Sequence, residues 1–372
     1  MDSNSISEGA RRVPATASRM SNLKRLLTEQ RLDGLLVSNL TNIRYLTAFT
    51  GSAGCLVVQP ADATLYVDGR YPEQAQQQFE GGRVETTPRD ILGGVLTSLR
   101  RDRSPTRLGF ESRHLPHDQW RRVTESLEGV EVTPTLDLIE RLRSHKDPSE
   151  IAAIRRAVEI TDQAYEDFLT WIKPGLSESE VAARCEYFQR GHGSDRKETR
   201  TAVGSGPRSS LPHCIAAERV IQPNEPVMLD IGCVVEGYTS DLTRTIFVGR
   251  IPPKEFQEIY RIVGEAQALA IEAIRPGVPG RNVHMLAKDY LAKHGFGDKF
   301  PHALGHSLGL NIHERPVFAD WETAAIEIGN VITVEPGIYL PGRYGVRTED
   351  LILVTESGCE VLNHTDHALM TR

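Results

Sequence analysis

The order of apolar and polar positions predicts that the first part of the chain alternates strands with helices. From Leu23 to Leu32 the apolar residues recur at helical spacing, and the apolar run 34–38 that follows is typical of a buried strand. Further strands are predicted at 55–58, 64–67, 84–86 and 107–110, and further helices at 71–80 and 91–101. Such alternation indicates an α/β domain with a mixed sheet, which we assign to residues 20–142.

The segments on either side of this domain have a different character. Residues 1–19 are polar and aperiodic and lack the apolar core of a signal peptide, so we expect a disordered N-terminal extension. The charged stretch 143–150 is predicted to be a linker, and Pro148 within it is placed to open an amphipathic helix that continues to Trp171. Residues 151–372 would then form a second domain.

A degenerate internal repeat runs through this second domain. The sequence IKPG at 172–175 and the sequence IRPG at 274–277 each follow one helical segment and precede another. The second helix of each copy is predicted at about 177–190 and at 283–294, and a glycine follows each one, Gly191 and Gly295. Two copies about a hundred residues apart predict an α+β domain with pseudo-two-fold symmetry.

Acidic residues inside apolar, strand-like segments follow each copy of the repeat. Asp230 and Asp241 lie on either side of a glycine-containing turn, so we expect an antiparallel pair that carries both carboxylates on one face. Glu335 and Glu349 follow the second copy, and His306 lies in a histidine-rich segment before them. Carboxylates can bridge two divalent ions, and a single imidazole among four of them suits Mn(II), Co(II) or Zn(II). The sequence therefore predicts a two-metal hydrolytic site.

A simpler interpretation exists for any one of these acids. A buried carboxylate costs several kcal/mol unless it is paired, and Arg244 or Arg347 could supply the partner in an ordinary ion pair. We prefer the metal site because ordinary ion pairs would have to account for all five residues, each of which lies in a short segment flanked by glycine or apolar residues.

Composition narrows the classes of function further. The net charge of −7 and the pI near 6.0 argue against nucleic acid and anionic membranes as partners. We find no apolar run of the roughly 20 residues that a membrane span requires. Five scattered cysteines without a C-x-x-C motif favour reduced thiols and a cytoplasmic location.

Five motifs in the second half of the chain resemble those of the pita-bread metallopeptidases. They are LDIGCVVEGYTSDLTRT (229–245), HALGHSLGLNIHE (302–314), VEPGIYLPG (334–342), GVRTEDLILV (345–354) and GSGPRSSLPH (204–213). In the first half, NIRYLTAFTGSAG (42–54) and LYVDGRY (65–71) resemble the creatinase-like N-terminal domain of the branch that cleaves Xaa-Pro bonds. That branch contains the Xaa-Pro dipeptidases, or prolidases, and aminopeptidase P.

The resemblance implies a role for each candidate residue. Two divalent ions would be held by Asp230, Asp241, His306, Glu335 and Glu349, with Asp241 and Glu349 bridging and Glu335 also serving as general base. The catalytic histidines would be His213, His302 and His313, of which His213 and His313 would also bind substrate together with Arg315 and Arg347. A homodimer is also implied, with the N-terminal domain helping to form it and to shape the mouth of the site.

The chain departs from the prolidase pattern in ways that leave the exact substrate open. Prolidases commonly read Phe-Asp-Thr where this chain has Thr199-Arg200-Thr201, and Arg315 is the only arginine between His313 and Glu335. Either Arg315 or Arg200 could grip the C-terminal carboxylate of a dipeptide. The short length favours an Xaa-Pro dipeptidase acting on short proline-containing peptides. Aminopeptidase P is the first alternative, and a non-catalytic binding protein of the same fold is the second.

Overall fold

The computed structural model describes residues 15–102, 105–195 and 200–372. The chain divides into a first unit that ends at Arg143 and a second unit that runs from Ser144 to Arg372. The helices are α1 Ala15–Glu29, α2 Leu40–Thr47, α3 Pro72–Gln78, α4 Ile91–Asp102, α5 His117–Ser126, α6 Leu138–Ser144, α7 Pro148–Trp171, α8 Glu178–Gly191, α9 Lys254–Ala273 and α10 Gly280–Lys293. None of the helices in these ranges is long and apolar enough to cross a membrane.

The first unit contains one mixed sheet covered by helices. Its strands are β1 Gly34–Val37, β2 Cys55–Val58, β3 Ala63–Asp68, β4 Arg83–Thr87, β5 Arg107–Glu111 and β6 Glu131–Thr135, in the order β4-β3-β2-β1-β5-β6. Strands β1, β5 and β6 are parallel, whereas β2 is antiparallel to both of its neighbours. Helix α4 buries Leu92, Val95, Leu96 and Leu99 against the sheet, which is the i, i+3, i+4, i+7 spacing of one helix face.

The disordered extension predicted for residues 1–19 reaches into residues that the structure describes. Residues 1–14 lie outside the described residues, but 15–19 belong to helix α1, so the prediction of disorder is wrong for them. Within this segment the Arg19 guanidinium lies over the ring of Tyr45 and donates to the Tyr45 carbonyl at 3.2 Å, a tertiary contact that the sequence pattern does not report.

The linker predicted at 143–150 is also shorter, because helix α6 continues to Ser144 and helix α7 begins at Pro148. The Asp147 side chain accepts from the backbone N–H groups of Ser149 and Glu150, and the Glu150 carboxylate accepts from the Asp147 N–H in return. This capping box fixes the start of α7, so that three residues separate the two helices.

The second unit shows the predicted repeat in its helices. Pairs α7–α8 and α9–α10 are each joined by a Pro-Gly turn in which the glycine has a positive φ, +96° at Gly175 and +89° at Gly277. Gly175 donates to the Ile221 carbonyl at 3.0 Å, and Gly277 donates to the Ile326 carbonyl at 2.9 Å. The two halves therefore repeat the same long-range connection as well as the same turn.

The strands of the second unit follow the same division. They are β7 Arg200–Ser205, β8 Glu225–Gly232, β9 Val234–Val235, β10 Tyr238–Thr239, β11 Leu242–Val248, β12 Gly305–Ser307, β13 Glu314–Phe318, β14 Val331–Val334, β15 Gly337–Leu340, β16 Tyr344–Arg347, β17 Asp350–Thr355 and β18 Gly358–Val361. Antiparallel sheets of order β11-β8-β7 and β13-β12-β14-β17-β18 form, with β9–β10 and β15–β16 as separate pairs. One apolar core packs α7 and α8 with the first sheet, and another packs α9 and α10 with the second.

Candidate metal centre and active site

The four candidate acids lie at the ends of paired strands. Asp230 is near the end of β8, and Asp241 directly precedes its partner strand β11. Glu335 directly follows β14, and Glu349 directly precedes its partner strand β17. Antiparallel pairing brings the end of one strand beside the start of the next, so each half of the repeat supplies two neighbouring carboxylates.

The four acids share one cavity with His306. Its volume is about 370 Å³, and its wall is completed by His213, Gly232, Cys233, Val234, Thr239, Ser240, Ile312, His313 and Arg347. Four acids and an imidazole that are widely separated in sequence therefore come together as predicted.

Burial places the acids under strong mutual repulsion. Desolvation, followed by the charge of Glu349, raises the pKa of Asp241 and of Glu335 well above the usual range. Desolvation, followed by the charge of Asp230, raises the pKa of Glu349 to about 7. A site with this excess of buried negative charge calls for added positive charge, as divalent cations provide.

His306 has the form that a metal ligand requires. Burial, and then the charge of His313, lower its pKa to about 3, so the ring is neutral at pH 7. Its Nδ1 lies 3.2 Å from the Ser307 carbonyl oxygen, which can only accept, so Nδ1 carries the proton. The unprotonated Nε2 faces Glu335 Oε1 at 3.5 Å and Asp241 Oδ2 at 3.9 Å.

The donor atoms of Asp241, His306 and Glu349 all lie within 4.8 Å of one another. Two of these donors are carboxylate oxygens and the third is a neutral imidazole nitrogen, a combination that matches the ligand chemistry of Mn(II), Co(II) or Zn(II). The residues present therefore fit the divalent ions predicted from the sequence.

Arg347 crosses the wall of this cavity and is nearly fully buried. Its guanidinium forms an ion pair with Asp230 and donates to Thr243 Oγ1 at 3.0 Å, the Pro212 carbonyl at 2.8 Å and Tyr339 Oη at 3.1 Å. The ordinary ion pair considered for the acids is thus present at Asp230. These bonds use most of the N–H donors of the Arg347 guanidinium, which we predicted to bind substrate.

Two of the predicted histidines face the cavity directly. His213 and His313 are exposed residues of its wall, and the His313 ring is centred 4.3 Å from the ring of His306. His302 is not among the wall residues, and its Nε2 accepts from Tyr339 Oη at 2.8 Å. Burial, followed by the charge of Arg347, lowers the pKa of His302 to about 4. The Tyr339 hydroxyl therefore links His302 to Arg347, which in turn pairs with Asp230.

The structure does not bring Arg315 into the cavity. Its side chain is 61% exposed and pairs with Glu322 at 2.9 Å. The alternative residue is Arg200. Its side chain, like the whole of Thr199, lies outside the described residues.

A buried acid on helix α8 holds the loop that carries His213. Glu178 Oε2 accepts from Arg208 Nε at 2.9 Å and from the Ala217 N–H at 3.2 Å, while Arg208 Nη2 donates to the Ile215 carbonyl at 2.6 Å. These bonds fasten the chain on both sides of His213.

Sequence reasoning missed several residues that complete the site. Thr243 Oγ1 donates to Glu349 Oε2 at 2.6 Å, and Thr333 Oγ1 accepts from the His306 N–H at 3.0 Å. Cys233, Val234 and Ile312 form an apolar part of the wall. A signal existed for Thr333, because a hydroxyl within an otherwise apolar strand needs a buried partner.

Comparison with known proteins agrees with this architecture. Residues 152–356 match metallopeptidase family M24, and residues 19–145 match the creatinase/prolidase N-terminal domain. An Xaa-Pro dipeptidase of Pyrococcus furiosus is 34% identical over 356 residues, which cover 95% of this chain and 99% of that protein.

Solved structures give the same result. An Xaa-Pro dipeptidase from Bacillus anthracis matches with a TM-score of 0.91 and 38% identity, over 96% of this chain and 100% of that chain. An X-Pro aminopeptidase from Thermotoga maritima matches with a TM-score of 0.88 and 29% identity, over 95% of this chain and 99% of that chain.

The fold and the cluster of acids define a metallopeptidase with two domains. The chain belongs to metallopeptidase family M24 and carries the creatinase/prolidase N-terminal domain in front of the pita-bread catalytic domain. The predicted family and fold class are confirmed.

Proposed function

We propose that this metallopeptidase hydrolyses the bond between an N-terminal residue and proline, with Xaa-Pro dipeptides as its preferred substrates. The observation that carries the proposal is the cavity in which four acids surround a neutral imidazole. Further support comes from the 34% identity to an Xaa-Pro dipeptidase over nearly the whole chain. Proline gives a tertiary amide without an N–H and has a fixed φ, so a site that accepts the ring and requires no donor there can cleave a bond that general peptidases fit poorly.

We propose that two divalent ions bind to the five residues Asp230, Asp241, His306, Glu335 and Glu349. When bound, they supply the positive charge that polarises a carbonyl group and lowers the pKa of water to near neutrality. Mn(II), Co(II) and Zn(II) are all compatible with this set of oxygen and imidazole donors.

The protein's own side chains would move the proton and hold the substrate. Glu335, whose pKa is raised by burial, is suited to accept a proton from the attacking water and pass it to the departing proline nitrogen. His213 and His313, exposed on the cavity wall, would donate to the substrate carbonyl and to the oxyanion that develops from it. Arg347 and His302 would not touch the substrate directly. Arg347 would act through its ion pair with Asp230, and His302 through its hydrogen bond with Tyr339.

The test is a substrate comparison on metal-depleted protein reloaded with Mn(II), Co(II) or Zn(II). We expect Leu-Pro to release proline, and Leu-Ala, the control dipeptide, to be hydrolysed far more slowly. Failure to cleave any Xaa-Pro peptide with any of the three ions would contradict the proposal.

Aminopeptidase P activity is the second candidate. Two observations favour it: the similarity to an X-Pro aminopeptidase structure, and the position of Arg315 outside the cavity wall. Cleavage of Xaa-Pro-Yaa tripeptides without cleavage of Leu-Pro would assign the protein to this class. The homodimer and the cytoplasmic location predicted from the sequence also stay proposals, and gel filtration that shows only monomer would overturn the first.

A further inference from the structure

A lysine from the start of the catalytic unit is buried behind the two histidines of the cavity. The Lys146 side chain is 0% exposed and its Nζ lies 3.1 Å from Ser307 Oγ and 3.3 Å from Glu314 Oε2. The Glu314 side chain is only 7% exposed. Removing an ammonium and a carboxylate from water costs several kcal/mol per ion, which their attraction often fails to recover. Stability alone is therefore a poor explanation for this pair.

Both partners of Lys146 are sequence neighbours of cavity histidines. Ser307 directly follows His306, and Glu314 directly follows His313. The chain between them is irregular, because the pairing of β12 with β13 shifts register after His306. An irregular connection leaves the spacing of the two imidazoles to side-chain contacts rather than to the strand ladder.

The Glu314 carboxylate also orders the turn that leads to His313. Its Oε1 accepts from the Asn311 N–H at 3.0 Å. Gly309 allows the carboxylate to approach, since a Cβ at this position would lie 3.0 Å from both of its oxygens. The turn, the carboxylate and the ammonium therefore form one connected set behind the cavity wall.

The backbone of Lys146 is itself held in place. Its N–H donates to the Gly329 carbonyl at 3.0 Å, and Asn330 Nδ2 donates to the Ser144 carbonyl at 3.0 Å. On the other side, Asp147 caps helix α7. The ammonium is thus presented from a fixed point of the unit, as a positioning group must be.

We propose that Lys146 is a positioning residue that sets the spacing of His306 and His313 through Ser307 and Glu314. This inference rests on the proposed function, because His313 is the group expected to hold the substrate carbonyl. Replacing the ammonium by an apolar group would let the 309–314 turn shift, so that substrate binding weakens more than turnover does.

The experiment compares Lys146→Met, Lys146→Arg and Glu314→Gln with the wild-type protein on Leu-Pro. We expect Lys146→Met to raise KM by about tenfold, with kcat changed far less, and Lys146→Arg to recover part of the loss because it keeps the charge. Lys288→Met is the matched control, because Lys288 is partly exposed and its pair with Asp320 spans 3.8 Å.

The outcomes separate this inference from the proposed function. If wild-type protein cleaves Leu-Pro while KM is unchanged in folded Lys146→Met, the positioning role is overturned and the function stands. A lower fraction of active protein with an unchanged KM would likewise reduce Lys146 to a structural residue. If Lys146→Met does not fold, Glu314→Gln, which keeps the size of the side chain, must show the rise in KM. The dissociation constant of Mn(II), measured by calorimetry, gives a readout independent of turnover. It sets the Mn(II) concentration that saturates each variant, and the rise in KM must appear in protein saturated with Mn(II).

Discussion

At the residue scale the site is dominated by the cost of placing acids together. Asp241 and Glu349 are buried and Glu335 is partly buried, and each has a raised pKa because desolvation and neighbouring carboxylates oppose ionisation. Arg347 offsets part of this charge at Asp230. Such a cluster is unfavourable for the fold and favourable for binding cations, which is a common compromise at functional sites.

This compromise predicts two opposite effects for Asp241→Asn. We expect loss of bound Mn(II) and a loss of activity beyond the roughly 10–100-fold typical of outer metal-site partners. The metal-free variant should melt at a higher temperature than metal-free wild type, because one repelling charge is removed. Metal analysis, kinetics and thermal melts in a chelator measure the three quantities.

The control for this experiment is Asp320→Asn, which removes an exposed acid from the same unit. It should leave metal content and activity unchanged. A full metal complement and normal turnover in Asp241→Asn would contradict the assigned role of this residue.

At the element scale the repeat gives each half of the unit its own helix pair and sheet, and loops then adapt the halves to different tasks. The loop after β7 carries His213 and is held by Glu178 at the start of α8. The corresponding position in the second half is Gly280, at the start of α10. Glu178 is therefore not a feature of the repeat, and its contacts serve the loop that carries His213.

Glu178→Gln is predicted to loosen this loop. Loss of the charge leaves the Arg208 guanidinium without its buried counter-ion, at a cost of about 1–3 kcal/mol in the free energy of unfolding. KM for Leu-Pro should rise because His213 is less well placed. Glu186→Gln, on the same helix but outside these hydrogen bonds, is the control, and an unchanged KM in folded Glu178→Gln would argue against the positioning of His213 by this contact.

At the scale of the whole molecule, the acids should make the stability of metal-free protein depend on pH. The pKa of Glu349 is raised from 4.5 to about 7, so the folded state holds this proton after the unfolded state has lost it. The contribution to stability is therefore present below pH 4.5 and is lost as the pH rises through about 7. The loss should amount to up to about 3 kcal/mol relative to Glu349→Gln.

Urea denaturation in a chelator at pH 5 and pH 8 measures this difference. Wild-type protein should lose more of its free energy of unfolding over this interval than Glu349→Gln does. Added Mn(II) should restore stability more at pH 8 than at pH 5, because protons compete with the ion for the carboxylates. Equal pH dependence in the two proteins would show that Glu349 titrates normally.

The sequence by itself determined the features that depend on near neighbours. The helix Pro148–Trp171, the helix Glu178–Gly191 and the strand Cys55–Val58 follow from periodicity and β-rich composition, and the structure has them within a residue or so of the predicted positions. Strand β6 escaped prediction because Pro134 weakens its pattern, and pairing with β5 stabilises it. The candidate ligands were found because acids in apolar strands are rare.

Only the tertiary structure decided which charges meet. That Arg347 pairs with Asp230 and that the Lys146 ammonium lies buried beside Glu314 are facts about groups whose approach no local pattern encodes. Periodicity reports which face of an element is apolar, and that information is carried by residues a few positions apart. Ion pairs across more than a hundred residues depend on how complete elements pack, which is a property of the folded chain.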